Sequence, residues 1–144
     1  MVTGAFVCWR LLRDPNEKIL IVSQSGAHSD NIAIFIRKLI DTMEILAHLQ
    51  PRADQRSSVI SFDVNGADIS VQPSVKSLGI TSQLQGNRAS LLVSDDVEGT
   101  QNSATEKRRL DLLQQVAEYE AILQTGEGSQ ILVLGTPQTS ESIY

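Results

Sequence analysis

Residues 90–98 carry the sequence SLLVSDDVE, in which an apolar run leads into the adjacent carboxylates Asp95 and Asp96, with a third at Glu98. A continuous apolar run is typical of a strand that is buried on both faces of a sheet. Two neighbouring carboxylates at the end of such a strand repel each other and lose hydration, so a cation is the usual reason for the pair. The segment therefore predicts a buried strand over Ser90–Asp96 that ends at a cation site. The residues leave open the alternative that one of the two aspartates only begins a turn or caps a helix.

Two further apolar runs predict strands of the same kind, at Lys18–Ser23 (KILIVS) and Ile131–Leu134 (ILVL). A helix over Thr3–Leu12, ending at Arg13, is expected before the first of them, because Asp-Pro-Asn follows as a turn.

Helical patterns separate the strands. Ser29 or Asp30 is expected to cap a helix after Lys18–Ser23, since apolar residues recur behind them at three- and four-residue steps. Ser103 and Glu106 have the spacing of a capping box, which predicts a helix that Gly126 and Gly128 end. The residues expected to face inward from this helix are Leu110, Leu113, Val116, Ala117 and Leu123.

The middle of the chain has a different pattern. Val59–Val71 alternates apolar and polar residues around Asn65-Gly66, which predicts a β-hairpin with its turn at that pair. Pro73–Ala89 is rich in Ser, Gly and Gln and is expected to be a long irregular connection. Strands alternating with helices predict an α/β fold with a mainly parallel sheet, in one domain over residues 1–144.

Composition excludes several classes of protein. The 144 residues are 41% hydrophobic and carry a formal net charge of −5, which excludes a disordered tail and disfavours DNA binding through a broad basic face. We identify no signal peptide or membrane span, and the lone Cys8 fits a reducing cytoplasm. His28 and His48 lack partners at metal-ligand spacing, so neither is expected to bind a metal.

In an open parallel sheet, functional residues collect at the carboxyl ends of the strands. Thr136 and Gln138 follow one predicted strand, and Asp95 and Asp96 end another. An apolar strand followed by Asp and a second acid is the pattern of nucleotide hydrolases, in which one carboxylate holds Mg²⁺ and the next acid orients the attacking water. From the residues alone, Thr136 can equally belong to an ordinary turn and Arg88 can be a solvated loop charge.

Taken together, four stretches resemble the ATPase domain of the large terminase subunit of tailed bacteriophages, in the group related to podovirus DNA maturases. They occur in the family's order and cover nearly the whole chain. The stretches are AFVCWRLLRDPNEKILIVSQS (5–25), PSVKSLGITSQLQGNRASLLVSDDVE (73–98), NSATEKRRLDLLQQVAEYEAIL (102–123) and ILVLGTPQTSESIY (131–144).

The resemblance implies roles for the acidic residues. Asp95 matches the Walker B aspartate that binds Mg²⁺. Asp96 lies where the catalytic acid is expected, and Glu98 is a rival for that role. Arg88 resembles a basic residue of the family that acts on a neighbouring subunit's nucleotide.

The same resemblance assigns the segment after the last strand to the coupling motif, which senses the γ-phosphate and transmits hydrolysis to DNA movement. Its residues are Gly135, Thr136, Pro137 and Gln138.

The implied fold is a P-loop NTPase-like three-layer sandwich of the additional-strand type. The chain has no G-x-x-x-x-G-K-[ST] segment, so we expect a partial domain that lacks the Walker A strand and loop. That loss is expected to leave Ile131–Leu134 as an unpaired sheet edge and the chain self-associating.

The family uses ATP and Mg²⁺, but this chain alone is expected to bind them weakly or not at all. Implied partners are viral double-stranded DNA, the portal and prohead, a small terminase subunit and other copies in a ring, in the cytoplasm of the bacterial host. Two alternatives remain: a non-catalytic α/β interaction module that binds terminase or portal subunits, and a stand-alone Mg²⁺-dependent phosphohydrolase.

Overall fold

The computed structural model describes residues 2–144. Within these residues the chain forms five helices and six strands, and a short 3-10 helix (Glu44–Leu49) follows α2. In chain order the elements are α1 (Val2–Arg13), β1 (Ile19–Ser23), α2 (Gly26–Thr42), β2 (Ser57–Ser58), β3 (Ser61–Phe62), β4 (Val75–Gly79), β5 (Leu91–Asp95), α3 (Thr100–Ser103), α4 (Glu106–Ala117), α5 (Tyr119–Ile122) and β6 (Gln130–Leu134). No helix within residues 2–144 has the length and apolar character needed to cross a bilayer.

The strands form a single sheet in the order β2-β3-β4-β1-β5-β6. The four strands from β4 to β6 are parallel, and β2 and β3 extend the sheet in antiparallel fashion. Ser23 is paired with Asp95, and Asp95 with Leu134, so β1, β5 and β6 end at the same level. The predicted α/β class and mainly parallel sheet are confirmed.

Helices cover both faces of the sheet. Ile21 and Val93 face a core shared with α1 and α2, whereas Leu20 and Leu92 face a second core shared with α4 and α5. All four side chains are buried. This burial on alternate sides explains why the central strands are continuously apolar, and it produces three layers.

Helix α1 agrees with its prediction, but the predicted start of the next helix is wrong. Ser25, and neither Ser29 nor Asp30, is the N-cap of α2: its hydroxyl accepts a hydrogen bond from the backbone N–H of His28 at 3.3 Å. Ser29 lies inside the helix and donates its hydroxyl to the carbonyl of Gly26 at 2.9 Å. The short β1–α2 connection leaves no room for a later cap.

The predicted capping box is also wrong. Ser103 ends α3 and donates its hydroxyl to the carbonyl of Gly99 at 2.7 Å, while Thr105 caps α4 through the N–H of Arg108 at 3.3 Å. Helix α4 ends at Ala117, and the separate helix α5 begins at Tyr119.

The side chains that α4 and α5 bury differ from the predicted set. Leu110 and Leu113 are 55% and 47% exposed, contrary to prediction. Ala117 is exposed as well, and Val116 and Leu123 are only partly buried. The fully packed side chains are Leu112, Tyr119 and Ile122.

The hairpin lies earlier than predicted. Val59 and Ile60 connect β2 to β3, and Asn65-Gly66 forms a separate turn beyond them. The connection predicted over Pro73–Ala89 contains β4, which pairs with β1. Buried and half-buried residues alternate along β4, so it lacks the apolar run of the other central strands.

Strand β6 is the last strand of the sheet, as expected, and within residues 2–144 it pairs only with β5. Its side chains are less buried than those of β1 and β5, and Val133 is 49% exposed.

Candidate functional site

The chain turns sharply after β5, and we call Asp95–Glu98 the acidic turn. Asp96 has a φ of +47°, in the left-handed region that costs a non-glycine residue about 1 kcal/mol. Its N–H donates to the carbonyl of Leu134 at 2.9 Å, and its carbonyl accepts from the N–H of Gln24 at 3.2 Å. These two bonds join the carboxyl ends of β1, β5 and β6 at one residue.

Asp95 is held by a side chain from the beginning of the chain. Thr3, in the first turn of α1, is 2% exposed and donates its hydroxyl to Oδ2 of Asp95 at 2.6 Å. The Ser23 hydroxyl donates to the backbone carbonyl of Asp95, also at 2.6 Å. The Thr3 hydroxyl binds only Oδ2 of Asp95. The carboxylate is therefore oriented, while its Oδ1 is not bound by Thr3.

Glu98 is 2% exposed and is bound by the end of the chain. Its Oε2 accepts hydrogen bonds from the hydroxyl of Ser142 and from the N–H of Ile143, the latter at 3.2 Å. Among the described residues its Oε1 has no partner, although it is buried. A buried acceptor without a donor is costly, so this oxygen favours a bound water or substrate group.

The segment Gly135–Gln138, which we call the coupling turn, follows β6 directly. Leu134 is paired with Asp95 and bonded to Asp96, so this turn starts beside the acidic turn. The Gln138 side chain donates to the carbonyl of Thr136 at 3.2 Å, and both residues are exposed. The structure thus sets the acidic turn beside the start of the coupling turn, so that all the predicted site residues except one belong to these two adjoining segments.

Arg88 is the exception. It precedes β5, so it lies at the other end of the sheet from Asp95, about 20 Å away along the strand direction. Its guanidinium donates to the carbonyl of Ala121. Within one chain Arg88 therefore does not join the acidic turn, and its role at a neighbouring subunit stays a prediction.

Metal binding at this site would rely on few protein ligands. Across residues 2–144, no three His, Cys, Asp or Glu side chains are grouped so that they could hold a metal ion. Mg²⁺ is usually bound through one or two carboxylates, with waters and substrate phosphates completing its shell. The adjacent carboxylates Asp95 and Asp96 fit that mode of binding.

Thr3 and the chain end Ser142–Tyr144 are the parts of the site that sequence reasoning missed. A threonine in the first turn of an apolar helix has no distinguishing pattern of its own.

No protein-family model matches the chain. The chain is 49% identical over 143 residues to the large terminase subunit of Enterobacteria phage T3. The match covers 99% of this chain and 24% of the phage protein, so the chain spans about a quarter of its relative's length. The predicted relationship to a phage large terminase subunit is confirmed.

This terminase-related chain has one further feature beside the acidic turn. A groove of about 830 Å³ lies beyond the carboxyl end of β1, at the point where the connections from β1 and β5 leave the sheet in opposite directions, and residues of the acidic turn are not part of its lining. Ligands of open α/β sheets bind at such positions. Its lining includes Gln24, Ser25, Thr81, Gln101, Asn102 and Arg108.

Proposed function

We propose that the chain is part of the ATPase of a viral DNA-packaging motor, with Asp95 as the Mg²⁺ ligand and Asp96 or Glu98 as the catalytic acid. The observation that carries the proposal is the hydrogen bond from the N–H of Asp96 to the carbonyl of Leu134, at 2.9 Å. It sets the two acids beside the coupling turn, where a nucleotide hydrolase needs them. The terminase relationship supplies the class of reaction.

Each residue then has a distinct task. The hydroxyl of Thr3 would hold the carboxylate of Asp95 in place as a ligand, through its hydrogen bond to Oδ2. Asp95 would hold a Mg²⁺ ion, which when bound would supply positive charge to neutralise the negative charge that develops during phosphoryl transfer. Asp96 or Glu98 would position the attacking water, and each has an oxygen available for that purpose.

The coupling turn would report the state of the γ-phosphate. Thr136 and Gln138 are exposed next to the acidic turn, and their hydroxyl and amide groups can bond a phosphate oxygen or water. In a ring of subunits, Arg88 would reach the nucleotide of the neighbour, since its own acidic turn is at the far end of the sheet.

Residues 1–144 would form a partial P-loop NTPase domain of the additional-strand type. The sequence contains no Walker A segment, whose backbone N–H groups and lysine cradle the phosphates. We therefore expect this chain alone to bind ATP weakly and not to hydrolyse it. Its partners would be viral double-stranded DNA, the portal and prohead, a small terminase subunit and other copies, in the host cytoplasm.

Titration of the chain with Mg²⁺, with and without ATP, tests this proposal when amide signals are followed by NMR. We expect Mg²⁺ to shift the amides of Asp95 and Asp96, and the added ATP to extend the shifts to Thr136. Asp95→Asn should abolish the response. The matched control Asp68→Asn, at an exposed surface carboxylate, should leave the response unchanged.

Two outcomes would contradict this proposal. One is an unchanged response in Asp95→Asn, and the other is a set of shifts confined to residues far from both turns.

The edge position of β6 favours a second candidate, a non-catalytic module that binds terminase or portal subunits. Strand β6 pairs with β5 on one side only. Within the described residues its other side, together with the half-exposed Val133, offers backbone groups and apolar surface to a partner strand. Co-purification with an intact large terminase subunit, with no response to Mg²⁺ or ATP, would favour this role over the first.

A further inference from the structure

We propose that Tyr144 is a positioning residue that links the coupling turn to the acidic turn, so that the two turns move together. The inference deepens the proposed function and rests on it for its meaning in hydrolysis. The contacts that carry it are independent of any nucleotide.

The first contact is with the acidic turn. The phenol oxygen of Tyr144 accepts hydrogen bonds from the backbone N–H groups of Val97 and Glu98, at 3.0 and 3.3 Å. Both donors lie beyond the last residue of β5, so the sheet ladder does not satisfy them. Because Val97 and Glu98 are buried, loss of the phenol oxygen would leave two backbone donors without an acceptor.

The preceding residues reinforce that contact. The hydroxyl of Ser142 and the N–H of Ile143 both donate to Oε2 of Glu98, and the Ser142 hydroxyl accepts from the N–H of Tyr144 at 3.2 Å. Four hydrogen bonds therefore join Ser142–Tyr144 to the last two residues of the acidic turn.

The second contact is with the coupling turn. The Tyr144 ring lies directly against the backbone of Gly135, where an added Cβ would come within 2.0 Å of Cζ and 2.2 Å of the phenol oxygen. No side chain can be inserted at that distance without moving the ring. A displacement of Gly135 toward the ring must therefore displace the phenol from the N–H groups of Val97 and Glu98.

The consequence is a direct mechanical connection between phosphate sensing and the catalytic acid. A change at Thr136 or Gln138 that moves Gly135 would pass through one aromatic ring to Glu98. The ring itself is rigid, and it contacts Gly135 while its oxygen accepts from the N–H groups of Val97 and Glu98, so a displacement of Gly135 toward the ring moves that oxygen. Asp96 lies in the same turn, so the link holds whichever acid acts on the water.

Residue-specific amide hydrogen exchange, together with amide chemical shifts, tests the link in the 144-residue chain. Tyr144→Phe keeps the ring and removes the acceptor, so we expect exchange at Val97 and Glu98 to accelerate at least tenfold. Gly135→Ala touches neither amide but should produce the same local change, because its methyl group displaces the ring. The double variant should exceed neither single variant.

Two internal references separate this effect from general destabilisation. Ser140→Ala alters an exposed neighbour in the same segment and should leave both amides unchanged. The amide of Ile21, in the core of β1, should keep its protection in every variant. A merely structural role of Tyr144 would accelerate exchange at Ile21 as well.

The link is overturned if Tyr144→Phe leaves Val97 and Glu98 protected, or if Gly135→Ala changes exchange at all sites equally or at neither amide. If Gly135→Ala fails to fold, Tyr144→Phe still decides the first contact, and Tyr144→Leu, which removes the flat ring, decides the second through the shifts of Gly135. Since no nucleotide is used, failure of this test leaves the Mg²⁺ and ATP proposal intact, and the reverse also holds.

Discussion

Asp95 and Thr3 lie far apart in the sequence, yet the Thr3 hydroxyl donates a hydrogen bond to Oδ2 of Asp95 at 2.6 Å. The hydroxyl donates to a charged acceptor in a partly buried position, where such bonds are stronger than between neutral groups. The orientation of the proposed Mg²⁺ ligand therefore depends on one threonine in α1.

Thr3→Val tests that dependence, since valine keeps the shape and removes the donor. We expect a loss of about 1–2 kcal/mol in the free energy of unfolding, because the Asp95 carboxylate loses a charge-assisted bond. Thr3→Ser keeps the hydroxyl and should lose less. Urea denaturation measures both, and equal stability of Thr3→Val and the unaltered chain would contradict the prediction.

Lys18 presents the opposite situation, a buried charge without a partner. Its ammonium group is buried and makes no hydrogen bond within the described residues. Burial lowers the pKa of Lys18 from its usual value of 10.5, although nearby Asp63 opposes the shift. The folded state therefore disfavours the charged form, and protonated Lys18 costs stability at neutral pH.

Lys18→Met should raise the free energy of unfolding at pH 7 by about 1 kcal/mol, the cost of an unsatisfied buried polar group. In the unaltered chain, stability should rise as pH increases from the lowered pKa toward 10.5, because the unfolded state binds more protons over that window. This rise should be absent in Lys18→Met. Lys38→Met, at an exposed position of α2, is the control and should show neither effect.

At the scale of elements, a strand was predicted correctly from the sequence when both of its faces are buried. Strands β1 and β5 are buried on both faces of the sheet. Their runs of Ile, Leu and Val therefore predict them without any knowledge of the neighbouring strands. Buried and half-buried residues alternate along β4, which contains the polar residues Lys76 and Ser77 and so has no apolar run. It is a strand because β1 pairs with it, and that pairing joins residues more than 50 positions apart.

The helices show the same limit. Apolar spacing predicted one continuous helix over the region of α4 and α5, with Leu110 and Leu113 facing inward. Within α4 it is Leu112 that faces the sheet, and beyond the break after Ala117 it is Tyr119 of α5 that is buried. The buried Tyr119 bonds the hydroxyl of Ser94 at 3.1 Å, and that anchor on β5 is a tertiary contact without local signal.

At the scale of the whole molecule, the sheet is covered on both faces, and the five-residue strand β6 forms the longer of its two edges. Strand β6 ends the sheet, and its outward backbone groups have no neighbouring strand in the residues described. Long exposed edges recruit further strands, whereas a charge on the edge prevents it. The arrangement predicts association of the isolated chain through β6.

Size-exclusion chromatography with light scattering over a range of concentrations tests this association. We expect the unaltered chain to form dimers or larger species as its concentration rises, and Val133→Lys to shift it toward monomer. Val71→Lys, at a position 88% exposed and outside the strands, is the matched control and should not change the distribution. The prediction would be contradicted if the unaltered chain stayed monomeric at every concentration.

The sequence by itself determined the α/β class, the three central strands with apolar runs, helix α1 and the convergence of Asp95, Asp96 and the coupling turn. All of these depend on local hydrophobic patterning and on the rule that parallel strands end at one edge. The tertiary structure alone decided which hydroxyl binds Asp95 and which aromatic ring lies between the acidic turn and the coupling turn. It also decided that Arg88 lies at the far end of the sheet. Those features are contacts between distant parts of the chain, and local propensity carries no information about them because their free energy arises only after the layers have packed.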